Sequence, residues 1–336
     1  MQRREFLAGL AAIGASALVP DVLTGAQSSP STNAFRIDVH YHGNSPGFIA
    51  AIKAHNTGQT ALMNWTPAKA LEDMDRDGVA TVMMSTSEPS VYFGDAAAAR
   101  TLARECNEYF ARLVSDRPTR FGMFATLPLP DVDGALREIE YAFGTLKADG
   151  VCFMSSYEGK YLGDPAFARV MDELNRRKAV CYTHPFRGGM INMLPEGRAL
   201  GVTLSTETTL TIQSILYTNT ATRCPDIRFI WSHGGGTAPY ITSRLGAAVG
   251  PDGKPNANLA ALQKFYYDTA QAFNPYTLAT FTRVVPMSHI LFGTDYPFAQ
   301  AATVAKGLAD FGFKPADLRA IERDNALELL PRLKRN

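Results

Sequence analysis

Short apolar runs alternate with helical patterns from residue 35 onward, and this alternation restricts the fold more than any other feature of the chain. The runs are rich in Val, Ile, Phe and Tyr and nearly continuous in hydrophobicity, as expected of strands buried on both faces. There are eight of them, at residues 35–40, 80–85, 121–126, 151–154, 179–184, 228–233, 265–269 and 289–295. Eight strand-then-helix repeats predict an α/β protein whose parallel sheet closes into a single (β/α)8 TIM barrel over residues 35–336.

The segments between the runs carry helix signals at their ends. Residues 67–77 follow Thr66, an N-cap residue type, and begin with a proline at the first helical position. Residues 131–147 and 164–178 each begin at an aspartate and end in basic residues, which suits the helix dipole. A closing helix is expected over residues 315–333. The sequence therefore predicts helices between the strands and after the last one.

The first 34 residues differ from the rest of the chain. Arg3 and Arg4 precede an apolar run over residues 8–19, and a Ser/Thr/Pro stretch follows at residues 28–32. This order indicates a signal peptide, and the paired arginines resemble the twin-arginine export signal. The apolar run is too short to span a bilayer. We expect a signal peptide and linker over residues 1–34, export to the periplasm and no membrane span in the mature chain. An amphipathic or disordered tail is the alternative.

The charge balance points to a small-molecule partner. The chain has 33 Lys and Arg residues against 32 Asp and Glu residues. No basic stripe indicates nucleic acid, and no acidic tail indicates disorder. Nucleic acid is therefore not expected among the partners.

The four cysteines form no CxxC pair. They are Cys106, Cys152, Cys181 and Cys224, and two of them fall inside predicted strands. An exported protein could oxidise them, but this placement favours buried thiols over disulfides.

Four of the six histidines fall where predicted strands end, which is where barrels of this type form their active sites. His40 and His42 end the first run and point the same way, because side chains alternate along a strand. His184 ends the fifth run and Asp295 ends the eighth. Three imidazoles and one carboxylate form a nitrogen and oxygen site for a divalent ion. The sequence therefore predicts a metal site made of these four residues.

His233, the fourth of these histidines, ends the sixth run. It could be a ligand, a proton carrier or a structural residue, and we interpret it as a proton carrier. Asp38 faces the same way as His40 but one step deeper. A structural role and a role in orienting a ligand remain equally open for it.

The motifs around these residues resemble the amidohydrolase-related family that includes aminocarboxymuconate semialdehyde decarboxylase. The matching pieces are IDVHYH (37–42), THPF (183–186), SHGGG (232–236) and FGTDYP (292–297). Residues 94–95, 124–130 and 161–167 further resemble the branch that contains 6-methylsalicylate decarboxylase. The likeness extends from about residue 35 to the end of the chain, and the combination of motifs in this order is highly specific.

This resemblance implies a barrel of the metal-dependent hydrolase superfamily with one divalent ion, zinc ahead of manganese. In two-metal relatives a lysine at the end of the fourth strand bridges the ions, whereas this chain has Ser155 and Ser156 there. Arg244 matches an arginine that binds the substrate carboxylate from the neighbouring subunit, which implies a homodimer. Arg187 and Phe186 are further candidate contacts for a small-molecule carboxylate substrate.

The leading hypothesis for function is metal-dependent, non-oxidative decarboxylation of an aromatic or conjugated carboxylic acid, such as the hydroxybenzoate 6-methylsalicylate. His233 and Asp295 would be the catalytic proton carriers. The alternative is hydrolysis of a lactone, ester or amide in the same pocket, since both reactions use one Lewis acid and one proton shuttle. A third class is a binding protein without activity, which the complete ligand set argues against.

Overall fold

Eight parallel strands form the centre of the molecule in this computed structural model, which describes residues 35–187, 194 and 199–335. The structure confirms the predicted (β/α)8 barrel. The predicted signal peptide and linker, residues 1–34, lie outside the described residues. The barrel strands are β1 (Arg36–His42), β2 (Val79–Ser85), β3 (Phe121–Thr126), β4 (Gly150–Met154), β7 (Val180–His184), β8 (Arg228–Trp231), β9 (Tyr266–Asp268) and β10 (Ile290–Leu291), and the short strands β5 (Ser156–Tyr157) and β6 (Lys160–Tyr161) form a separate hairpin.

The barrel strands lie side by side in chain order, β1-β2-β3-β4-β7-β8-β9-β10, and every neighbouring pair is parallel. Three backbone hydrogen bonds join the first strand to the end of the last. Val39 N donates to Phe292 O at 3.0 Å, Asp295 N to His40 O at 2.9 Å and His42 N to Tyr296 O at 3.0 Å. We call this junction the closure seam. It places the ends of the chain's first and last strands next to each other.

Helices follow the strands as predicted. They are α1 (Pro46–Ala54), α2 (Thr60–Met63), α3 (Pro67–Asp77), α4 (Ala96–Asp116), α5 (Val132–Gly144), α6 (Ala168–Arg176), α7 (Leu200–Tyr217), α8 (Thr220–Arg223), α9 (Ala257–Lys264), α10 (Pro275–Val284), α11 (Ala301–Asp310), α12 (Pro315–Arg319) and α13 (Asn325–Leu329). The Thr66 side chain accepts a hydrogen bond from Lys69 N and so caps α3, as its residue type predicts.

The predicted closing helix over residues 315–333 is confirmed as far as Leu329, where it ends; α12, a π-helical turn and α13 follow one another without a break. The π-helical turn, Ala320–Asp324, lies between α12 and α13, and a 3-10 helix, Pro331–Arg335, ends the described chain. The wide turn leaves Ile321 O free to accept a hydrogen bond from Phe292 N at 2.9 Å. The π-helical turn therefore connects the C-terminal helix to the residue that follows β10.

The core fills the barrel and the layer between the sheet and its helices. Large buried side chains such as Phe124, Phe153, Tyr182 and Trp231 fill it, and the Phe124 and Tyr182 rings stack with centroids 5.5 Å apart. All four cysteines are buried free thiols, which confirms the prediction against disulfides. None of the helices in the described part of the chain combines the length and apolarity that a membrane crossing requires.

Candidate active site and metal centre

Four buried side chains converge at the C-terminal edge of the barrel. They are the four predicted ligands, and one ligand atom from each lies within 4.8 Å of the others. Asp295 Oδ1 lies 3.1 Å from His40 Nε2, 3.1 Å from His42 Nε2 and 3.9 Å from His184 Nε2. The residues come from β1, from β7 and from the segment after β10, which the barrel brings to one point. Three imidazole nitrogens and a carboxylate around one point suit a single divalent ion.

The electrostatics of the cluster match what metal ligands require. Burial alone would raise the pKa of Asp295, but the charge of His40 and the hydrogen bonds from the surrounding imidazoles hold it well below its usual range. Burial lowers the pKa of His42, and it lowers that of His184 to about 3. Burial opposes a charged His40, yet the charges of Asp268 and Asp295 raise its pKa to about 10. The surrounding imidazoles therefore favour the ionised form of Asp295, and burial favours the neutral form of His42 and His184, which are the forms that bind a metal ion.

His40 also carries an orphaned polar atom. Its Nε2 is fully buried and has no hydrogen-bond partner of suitable geometry among the described residues. A buried ring nitrogen without a partner is costly unless something else binds it. The atom faces Asp295 and the other ligands, so a divalent cation fits this position.

Asp268 holds the opposite side of the His40 ring, and the sequence analysis missed it. Its Oδ2 lies 2.8 Å from His40 Nδ1, and its Oδ1 accepts hydrogen bonds from His233 N at 2.9 Å and Ala270 N at 3.0 Å. A carboxylate on the second ring nitrogen fixes the tautomer and the direction of a ligating histidine. The signal was present in the sequence, since Asp268 ends the seventh strand just as Asp295 follows the eighth.

Asp38 positions the backbone of the site rather than a ring. Its Oδ1 accepts from His40 N at 3.0 Å and from Thr294 N at 3.1 Å, and its Oδ2 accepts from Thr294 Oγ1 at 2.6 Å. Burial raises the pKa of Asp38 to about 7. These bonds cross the closure seam, so the residue fixes the segments that carry His40 and Asp295 relative to each other.

The two predicted proton carriers sit in unusual backbone conformations. His233 has φ of 54° and Asp295 has φ of 66°, both in the left-handed region that side chains other than glycine seldom adopt. Between them, Gly293 allows a close approach of strands, because a Cβ there would lie 2.7 Å from Asp268 Cβ and 2.9 Å from His40 Cβ. The backbone is thus shaped to bring carboxylates and imidazoles together.

A cavity of about 330 Å³ opens above the cluster, and we call it the rim cavity. His184, His233 and Asp295 lie in its wall, and His233 Nε2 lies 3.2 Å from Asp295 Oδ2. The rest of its described lining is Gln59, Ser87, Glu88, Leu200, Gly201, Leu204, Ser205, Gln271 and Phe298. Its volume is at the small end of the range for small-molecule sites. The cluster is therefore open to a compact ligand.

The segment that carries His184 is anchored from behind by Ser155 and Glu207. Ser155 N donates to His184 O at 2.8 Å, and Phe186 N donates to Ser155 Oγ at 2.9 Å. Ser155 Oγ in turn donates to Glu207 Oε2 at 2.8 Å. The serine at the end of the fourth strand was evident in the sequence, but its hydrogen bonds to Glu207 and to the segment around His184 were not predicted. Helix α7 thereby fixes the chain on both sides of the ligand.

The three predicted substrate contacts lie at the margin of the site. Phe186 is half-buried and packs against the barrel core, and Arg187 forms an ion pair with Glu88. Arg244 is exposed in the 3-10 helix Thr242–Leu245. None of the three is among the described residues that line the rim cavity. Their contact with a substrate remains a prediction.

Solved structures share this fold. The crystal structure of a dihydroxybenzoic acid decarboxylase from Polaromonas sp., with bound manganese and the inhibitor 2-nitroresorcinol, superposes with a TM-score of 0.74 at 21% identity. It covers 88% of this chain and 97% of that one.

Curated proteins are similar in sequence over most of the chain. The decarboxylase yanB of Aspergillus niger is 35% identical over 323 residues, which are 88% of this chain and 88% of that protein. The 6-methylsalicylic acid decarboxylase acuB of Aspergillus aculeatus is 35% identical over 326 residues, which are 89% of this chain and 97% of that protein. The sequence model of the amidohydrolase family, Amidohydro_2, matches residues 37–332. The chain therefore belongs to the amidohydrolase family.

Proposed function

We propose that this protein is a metal-dependent, non-oxidative decarboxylase of an aromatic hydroxy acid, with 6-methylsalicylate or a related hydroxybenzoate as its substrate. The observation that carries the proposal is the position of the buried His/Asp cluster in the wall of a small cavity. Leu200, Leu204 and Phe298 give that cavity an apolar side suited to a ring. The names of the relatives at 35% identity support the same reaction.

The four ligand residues would hold one divalent ion. When bound, the ion would orient the carboxylate and an ortho-hydroxyl of the substrate and withdraw electron density from the ring. The chain supplies the rest of the chemistry. Leu200, Leu204 and Phe298 bind the ring and exclude water from it.

Proton transfer falls to His233 and Asp295. Loss of carbon dioxide leaves an electron pair on the ring carbon, so that carbon must receive a proton before or as the carbon–carbon bond breaks. His233 lines the cavity, and its Nε2 lies 3.2 Å from Asp295 Oδ2. The pair can therefore pass a proton to the ring and recover one afterwards. The net reaction consumes one proton and yields the decarboxylated phenol and carbon dioxide.

We infer that the native ion is zinc, with manganese as the alternative. Three imidazole nitrogens and one carboxylate form a nitrogen-rich set that zinc favours. The Polaromonas decarboxylase structure contains manganese. Metal analysis of the protein purified without added metal distinguishes the two, and a metal-free active enzyme would contradict both.

We also propose that the protein works as a homodimer in which Arg244 serves the partner's site. Arg244 is exposed, and exposed apolar side chains lie nearby in sequence at Tyr240 and Val249 and on α7 at Val202 and Tyr217. Apolar surface of this kind is typical of protein interfaces. Mixing inactive Arg244→Gln and Asp295→Asn chains would give hybrid dimers with one intact site each, restoring about a quarter of the activity. No restored activity after verified exchange of subunits would contradict a shared site.

Export of the folded protein by the twin-arginine route, with release of the mature chain to the periplasm, remains a proposal. It rests on Arg3, Arg4 and the apolar run that follows them. Replacing both arginines by lysine should retain the uncut precursor in the cytoplasm. Unchanged processing and unchanged location in that variant would contradict it.

The central experiment supplies the metal-loaded protein with hydroxybenzoates and, separately, with lactones and esters. Carbon dioxide released in equal amount with the decarboxylated phenol supports the proposal. Acid release from a lactone or ester without any carbon dioxide from hydroxybenzoates would replace it with the hydrolase alternative.

A further inference from the structure

The rim cavity has a buried carboxylate in its wall that the proposed reaction does not use. Glu88 follows β2 and is only 5% exposed, yet it lines the cavity beside Ser87 and together with Gln59. Burial raises the pKa of Glu88, and the negative charge of Asp295 adds to that rise. Glu88 thus feels the charge of the metal-ligand cluster while lying outside it.

Arg187 compensates this carboxylate from outside the described cavity lining. Its guanidinium forms an ion pair with Glu88 Oε1, and its backbone N donates to Glu88 Oε2 at 2.9 Å. An isolated buried carboxylate would be strongly unfavourable, so the arginine stabilises Glu88 in its position. A carboxylate can accept about four hydrogen bonds, and its contacts with Arg187 leave Glu88 able to accept a further one.

The described lining of the rim cavity holds no lysine or arginine side chain. Its charged carboxylates are Glu88 and Asp295, and its other polar side chains are neutral amides, hydroxyls and two histidines. A ligand with one carboxylate can place it against the bound cation. A second carboxylate on the ring would meet Glu88 in a buried setting without a cation of its own, which is costly.

We propose that Glu88 is a specificity-determining residue whose carboxylate accepts a hydrogen bond from a hydroxyl or amino group on the ring and excludes rings that carry a second carboxylate. This proposal rests on the proposed function, because it assumes that an aromatic acid occupies the rim cavity. It assigns Arg187 to the support of Glu88 rather than to direct contact with the substrate. Because the ortho-hydroxyl is assigned to the ion, the substrates favoured within the hydroxybenzoate class are monoacids that carry a second hydrogen-bond donor on the ring.

The test measures binding rather than turnover. The probes are 2-nitrophenol and its derivatives with one added hydroxyl or one added carboxylate at each free ring position, bound to the metal-loaded full chain and followed by calorimetry. We expect the best hydroxyl derivative to bind the unaltered protein at least about tenfold tighter than the best carboxylate derivative, the scale of a hydrogen bond to a charged group. Glu88→Gln should reduce this ratio at least about tenfold.

A double variant covers the case in which Glu88→Gln does not fold. In Glu88→Gln/Arg187→Gln both charges are gone, so affinity for the carboxylate derivative should exceed that of the unaltered protein. Glu105→Gln is the matched control, because Glu105 lines a separate cavity between α1 and α4. The ratio should not change in this control.

An unchanged ratio in the folded, metal-loaded Glu88 variants would overturn the proposal, even if all affinities fell together, since that result assigns Glu88 only to anchoring the chain. If the protein prefers hydroxyl over carboxylate derivatives but releases no carbon dioxide from any hydroxybenzoate, the proposed function is contradicted and the role of Glu88 is supported. If it releases carbon dioxide but does not distinguish the two kinds of derivative, the proposed function is supported and the role of Glu88 is contradicted.

Discussion

The two edges of the barrel use charged residues in opposite ways. At the C-terminal edge, Asp295 and three imidazoles are buried against one another, and His40 Nε2 has no hydrogen-bond partner among the described residues. At the N-terminal edge, two arginines pair with buried acids. Arg332 Nε lies 2.6 Å from Asp149 Oδ1, and Arg36 Nε lies 2.7 Å from Glu322 Oε1. The first edge presents an unpaired ring nitrogen to a ligand, whereas in these two pairs at the second edge each charge is balanced by its partner.

This difference separates function from stability. The N-terminal edge is covered by the segment after α12, which supplies both Glu322 and Arg332. The ion pairs there join the beginning of β1 and the residue before β4 to that segment, and they therefore contribute to the stability of the fold. Substitutions at the C-terminal edge should therefore change metal binding and catalysis, and substitutions at the N-terminal edge should change the free energy of unfolding.

The largest effect is expected for Asp295→Asn. The amide keeps the shape but removes the negative charge that faces three imidazoles and the second oxygen that faces His233. Activity should fall by about 10⁴-fold and metal should be lost on dialysis. Carbon dioxide assays and metal analysis measure both. Asp252→Asn, the same change on an exposed turn, should alter neither, and more than a tenth of the activity in Asp295→Asn would contradict the assigned site.

His233→Asn should separate proton transfer from metal binding. Because His233 is interpreted as a proton carrier, activity should fall by about 10³-fold while the bound metal stays at one ion per chain. Loss of the metal in this variant would make His233 a ligand instead. Measuring metal content and turnover on the same preparation decides between the two roles.

Asp268→Asn should act through His40. The carboxylate holds His40 Nδ1 at 2.8 Å, so its loss should weaken metal affinity by about 10–100-fold. Competition with a chelator measures the affinity. Excess metal should restore most of the activity, and an unchanged affinity would show that Asp268 serves only the backbone of His233.

Arg332→Ala should give the smallest effect, and it should change the stability of the fold rather than metal binding or catalysis. It removes the paired contact with Asp149, which is almost fully buried, and should lower the free energy of unfolding by about 1–3 kcal/mol. Metal affinity and turnover should stay within about twofold. Arg319→Ala is the control, since Arg319 and Asp324 form an exposed pair worth under about 1 kcal/mol. A loss of activity beyond the loss of folded protein would break the division between the edges.

Local signals were enough to predict most of the fold. The helix over residues 67–77 begins and ends as expected, because Thr66 caps it and Gly78 follows it in the left-handed conformation. The eight strands were found because strands buried on both faces are apolar throughout. The π-helical turn at residues 320–324 was not predicted, since its bond from Phe292 N to Ile321 O joins segments that no local pattern relates.

The site was predicted to the extent that its residues end strands. That rule predicts His40, His42, His184 and Asp295. It applies equally to Asp268, which ends β9 but was not predicted. Glu88 and Glu207 could not be found in this way. Glu207 lies within α7 and Glu88 beyond the end of β2, and their roles arise from contacts with Ser155 and Arg187, respectively.

The closure seam makes the candidate metal site depend on contact between the two ends of the described chain. Its first and last strands bring His40, His42 and Asp295 together from opposite ends of the described chain. A chain that lacked its eighth strand would have the three ligand imidazoles of His40, His42 and His184 but not the Asp295 carboxylate that completes the set. Binding of an ion by all four residues would therefore report that the barrel has closed.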